Sequence, residues 1–145
     1  MEKRGSKSNK GVTISDRIKL GALIVAVLLA FIPFQAQAGD TVWSSPAVGQ
    51  TCTLYPGDSV TINMKNHNSL VAHCVGKASR GKGELYGTDS QGALKLVHSF
   101  RVTLGVETRV DSAVFWQKSA SDPNPKLRFL CSGRKAYDVT IKEVK

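Results

Sequence analysis

Two short runs carry residue types from which a catalytic or phosphate-binding site is commonly assembled. Ala72-His73-Cys74 sets an imidazole beside a thiol, and Gly76 to Lys82 has the spacing glycine, four residues, glycine, lysine. As a general base, His73 would need an orienting carboxylate and a nucleophilic serine beside backbone donors for an oxyanion. Tyr55-Pro56-Gly57-Asp58-Ser59 supplies Gly-Asp-Ser, but it runs directly into the alternation of Val60 and Ile62, which is a strand and not a nucleophile turn. A phosphate loop needs a hydroxyl after its lysine and a helix whose amino terminus receives the phosphates. Position 83 is Gly, and Glu84-Leu85-Tyr86-Gly87-Thr88 promises only a short strand and a turn. Neither chemistry is expected, and Lys77 to Lys82 reads as a solvated basic loop.

Metal and carboxylate chemistry fare no better. His67 falls in a loop, His73 and Cys74 point to opposite faces of one strand, and His98 sits in the apolar row of another. A Pro-Gly-Asp-Ser-Val turn before a strand also occurs in copper-binding sandwiches, but no His or Met follows Cys131 to complete a ligand set. Asp58, Asp89 and Asp122 occupy turn positions, where the side chain bonds the nearby backbone. No metal, no cofactor and no enzymatic activity are expected.

What remains is surface. Lys77, Arg80 and Lys82 crowd one loop, Arg134 and Lys135 another, and Phe115 adjoins Trp116 where a strand would turn one of the two rings outward. These six positions, Lys77, Arg80, Lys82, Arg134, Lys135 and Phe115, are the expected partner-binding residues. The expectation is a non-catalytic binding module or accessory subunit, contacting another envelope or secreted protein or an acidic polysaccharide. The alternative is a carbohydrate-binding module that uses exposed aromatic rings among Trp43, Tyr55, Tyr86, Phe115, Trp116 and Tyr137. Nucleic acid is not an expected partner.

The compartment follows from the start of the chain. Six basic residues precede an unbroken apolar stretch from Leu20 to Phe34, and Ala36-Gln37-Ala38 follows as a small-x-small cleavage site. Residues 1–38 are expected to be a signal peptide removed on export to the periplasm or beyond, with membrane association only if it is retained. The leader holds six of the 20 Lys and Arg and two of the 11 acids, so the net charge of the remainder falls from +9 to +5. That excess favours acidic surfaces.

Beyond the leader, residues 39–50 read as an extended segment and 51–145 as one domain. Period-two patterning recurs over Cys52–Tyr55, Val60–Met64, Leu94–Leu104, Val106–Trp116, Leu127–Cys131 and Ala136–Val144, and Leu70–Val75 is a nearly continuous apolar run expected to be a central strand or one packed on both faces, with Gly, Pro and Asp between. The expected fold is an all-β antiparallel sandwich, immunoglobulin-like or of a related Greek-key order. Parity points Cys74 and Cys131 toward the core, which favours a disulfide between them, with Cys52 to Cys131 second.

Overall fold

The computed structural model describes residues 39–145; the expected signal peptide lies outside the described residues. The described residues form nine strands and one helical turn: β1 Asp40–Trp43, β2 Thr51–Leu54, β3 Ser59–Asn63, β4 Leu70–Gly76, β5 Gly81–Thr88, β6 Leu94–Val102, β7 Glu107–Asp111, α1 Ser112–Phe115, β8 Lys126–Cys131 and β9 Tyr137–Val144. They make two sheets, ordered β2-β9-β4-β7 and β1-β3-β8-β5-β6, with the architecture of a β-sandwich. Among these strands every paired neighbour is antiparallel except β1 with β3.

The pairing is nested. The second strand meets the last, β3 meets β8, β4 meets β7 and β5 meets β6, as in a long hairpin folded over on itself. Alternation decides which way each strand faces. Leu127, Phe129 and Cys131 of β8 and Tyr137, Val139 and Ile141 of β9 are buried, and they meet Leu54, Val60, Ile62, Leu85 and Val110 in one core. The Tyr55–Asp58 turn starts β3: Gly57 takes φ 87°, and the Asp58 carboxylate accepts from the backbone of Gly39 at 2.8 Å and of Tyr55 at 3.2 Å. Gly39 to Gln50, read from sequence as an extended lead-in, thus carries an edge strand tied to this turn.

The alternation expected to run from Val106 to Trp116 stops at Asp111. That carboxylate caps α1 by accepting from the Ala113 N–H at 3.0 Å. One helical turn leaves Val114 in solvent and turns Trp116 into the core, where its indole donates to the Thr88 carbonyl at 2.9 Å. Ser112, fully buried at the start of the turn, accepts from the Leu70 N–H at 2.9 Å. Ser112→Ala would leave that N–H unpaired in the core and is expected to lower stability by about 2 kcal/mol, read from the urea midpoint at unchanged slope.

The cysteine expectation is corrected. Cys52, Cys74 and Cys131 are free thiols. Parity did turn Cys74 and Cys131 inward, but facing sheets stand about 10 Å apart, beyond the reach of a disulfide without local pinching. Tyr137 stands between the sheets: it is buried, and its hydroxyl reaches from β9 to donate to the Leu130 carbonyl of β8 at 2.9 Å. Cys52 and Cys74 flank β9 opposite the same residue, Val139, and are therefore two strand spacings apart.

Candidate basic docking end

The two basic loops meet at one end of the molecule. The first is short, Lys77 to Arg80, because β5 begins at Gly81, earlier than the sequence suggested. The second, Ser132 to Ala136, joins β8 to β9. Backbone bonds lock the loops together: the N–H groups of Ser132 and Gly133 both donate to the Lys82 carbonyl, at 3.1 and 3.2 Å, and the Lys77 N–H donates to the Ala136 carbonyl at 3.0 Å. The Cys131 thiol adds a bond to the Lys135 carbonyl at 3.1 Å. A side chain at Gly133 would run into the Lys82 backbone, 2.8 Å from its nitrogen, so this closeness depends on glycine.

Lys77, Arg80, Lys82, Arg134 and Lys135 thereby lie at the end of the sandwich where the two loops meet, and all five are exposed. Lys77 pairs with Asp138 at 3.1 Å. Among the described residues, Arg80, Lys82, Arg134 and Lys135 have no carboxylate within ion-pair distance. The nearest acid along β5, Glu84, accepts the Tyr86 hydroxyl at 2.8 Å. A concentration of cations without counter-charges produces a local positive potential that draws in anions.

Arg101 joins this surface although the sequence reading passed over it. It stands directly across from Lys82 in the β5–β6 pair. Its position on the polar side of β6 was legible, but its neighbour was not, because that depends on the strand register. Together with Ser79, Arg80, Ser99 and Thr103 these residues line a cleft of about 730 Å³.

Phe115 does not belong to this group. Its ring stacks on His98 with centroids 3.7 Å apart and planes 9° from parallel, leaving it 36% exposed, and it lines none of the cleft. His98 is half-buried by this stack instead of being hydrogen-bonded in the core. His73, on the outward side of β4, lies 3.2 Å from Glu107. Among the described residues no three His, Cys, Asp or Glu side chains converge as a metal site would require. The remaining rings are scattered: Trp116 and Tyr137 are buried, Trp43 packs against the core, and Tyr55 projects from its turn.

Burial sets the acid–base behaviour beneath this surface. It pushes the Cys74 thiol far above its ordinary value of 9.0, and it raises Cys52 and Cys131 as well. Tyr137 is raised from 10.0, first by burial and then by the neighbouring Cys74, Cys131, Glu84 and Cys52. Below pH 9 both states keep these protons, so stability is flat with respect to them. Above it the unfolded chain releases protons that the folded chain retains, and stability falls as pH rises. Cys74 alone contributes a slope of about 1.4 kcal/mol per pH unit and Tyr137 as much again above pH 10, with Cys52 and Cys131 adding in the same direction. Urea titrations between pH 8 and 11 measure it, and Cys74→Ala should remove the first part.

None of the models of known protein families matches the chain, and no curated protein or solved structure is significantly similar to it.

Proposed function

We propose that the protein is an exported, non-catalytic binding module whose basic end docks on the acidic surface of an envelope or secreted macromolecule. The single observation that supports this most is the junction of the two loops, in which the Lys82 carbonyl accepts from both Ser132 and Gly133. The loops that carry these cations come from separate parts of the chain and are held at one end by backbone bonds that have no need of the charges. Such an arrangement costs electrostatic repulsion, which an acidic partner would relieve.

The nested strand pairs favour a Greek-key order in its jelly-roll form over an immunoglobulin-like one, and jelly rolls include lectins and capsid domains. That is analogy of fold and carries no function by itself. The alternative of sugar recognition through rings is supported by exposed Tyr55, 61% accessible, but not by the tryptophans, both drawn toward the core. The test is capture from envelope extract on the immobilised protein, eluted with rising salt, beside a glycan array. A partner released by moderate salt supports docking by charge; salt-insensitive, saturable binding of neutral sugars would instead support the ring surface.

A further inference from the structure

The cleft beside the β5–β6 pair has a composition that the general positive charge of this end does not explain. Lys82 and Arg101 are cross-strand partners, and like charges directly opposite one another destabilise a sheet. Neither they nor Arg80, on the same cleft, pair with a carboxylate among the described residues. Three hydroxyls, those of Ser79, Ser99 and Thr103, stand among the three cations. The Phe100 ring at the cleft is itself buried, with its neighbours Tyr137 and Phe129 meeting it edge to face. The cleft therefore offers charge and hydroxyls but no open ring on which a sugar could stack.

We propose that this cleft is a subsite for sulfate or phosphate monoesters carried on a polysaccharide, a deepening that rests on the basic end being the docking surface. A monoester presents three free oxygens in different directions, so one group can bridge Lys82 and Arg101 and still accept from Ser99 or Thr103. A carboxylate has only two oxygens, both in one plane, which leaves part of this donor set unused. Size agrees with a carried group. Water takes about 30 Å³ per molecule in the liquid, so the cleft has room for the ester together with the sugar that bears it. The guanidinium of Arg101 is the anchoring element, because its planar fork engages two oxygens of one oxyanion at once, and what distinguishes the ester is the third oxygen left for Lys82 and the hydroxyls.

Dextran sulfate, phosphorylated dextran, alginate, poly-L-glutamate and neutral dextran, titrated by calorimetry at matched charge and salt, test the proposal. The two ester polymers are expected to bind about tenfold more tightly than alginate or poly-L-glutamate, and neutral dextran not at all. Arg101→Ser should weaken ester binding about tenfold, the scale of one lost charge-assisted contact, and change carboxylate binding little. Arg109→Ser, an exposed position on β7 paired with Asp111, should change neither. The ester polymers should also raise the melting temperature of the wild type and fail to do so for Arg101→Ser, which separates lost binding from lost folding. Equal affinity for carboxylate polymers, or ester binding indifferent to Arg101→Ser, would overturn the subsite. If carboxylate polymers bind through Lys77, Arg134 and Lys135 without any ester preference, the docking surface stands and only the subsite falls. If no polyanion binds at low salt, both fall.

Discussion

Gly87→Ala is expected to lower the stability of the protein by about 3 kcal/mol, more than any substitution at the basic end. Gly87 lies on β5 opposite Leu127 of β8, and the Trp116 indole rests on its backbone. A methyl group there would come within 2.6 Å of the indole nitrogen and 2.8 Å of Cγ, with the adjacent Cδ1 closer still. The ring cannot slide away without losing its bond to the Thr88 carbonyl, and its backbone is held by the capped turn of α1, where the Trp116 N–H donates to Ser112 at 2.8 Å. Relief would come only from expelling a ring that is 7% exposed, combining overpacking with a partly emptied core. Urea unfolding followed by tryptophan fluorescence measures it. A loss below about 0.5 kcal/mol would show that the core yields more easily than its packing implies.

The second large effect separates binding from folding. Replacing Lys77, Arg80, Lys82, Arg134 and Lys135 together by serine should weaken partner binding by a hundredfold or so, about 3 kcal/mol, while the urea midpoint stays nearly fixed. The fold does not depend on these charges. Among the described residues only Lys77 of the five has an ion pair, exposed on the lysine side, and such pairs contribute about 0–1 kcal/mol. The backbone bonds that join the loops survive the change, since each runs between main-chain groups. Removing mutual repulsion among the cations offsets whatever the Lys77 pair supplied. Because exposed charges act through screened attraction, the residual affinity should also lose its dependence on salt. Retained affinity with the original salt slope would refute docking by this end.

Much of the fold was legible, and the places where it was not have a common cause. Strands β4, β8 and β9 follow within one residue at their ends, β4 from its apolar run and β8 and β9 from alternation, because each contributes its own apolar row to the core. β5 looked like a loop and a short strand because Gly83 and Gly87 occupy inward positions where an apolar residue would be expected. The volume they leave is filled from elsewhere: a side chain at Gly83 would strike the Phe100 ring and come within 2.8 Å of the Tyr137 hydroxyl, as one at Gly87 would strike Trp116. A strand whose core belongs to its neighbours has no period of its own.

The site divides the same way. That Lys77, Arg80, Lys82, Arg134 and Lys135 are exposed could be read from composition and turn signals. Their meeting, and the addition of Arg101, depends on register between strands far apart in sequence. The disulfide expectation failed on the dimension that parity lacks. Alternation says which face a cysteine occupies, not how wide the gap across the core is or that Tyr137 reaches across it.

Nested pairing has a further consequence for how the chain reaches this state. β9 lies between β2 and β4, and it places Thr140 beside Thr51, 89 residues earlier, with their hydroxyls 3.0 Å apart. Until the last residues are available, both β2 and β4 present open edges and the core lacks Tyr137, Val139 and Ile141. Contacts so distant along the sequence close large loops before they repay the entropy, which places folding on the slow side, in the millisecond-to-second range typical of non-local β topologies. A chain interrupted before β9 would remain an unfinished sheet with two adhesive margins, prone to aggregate.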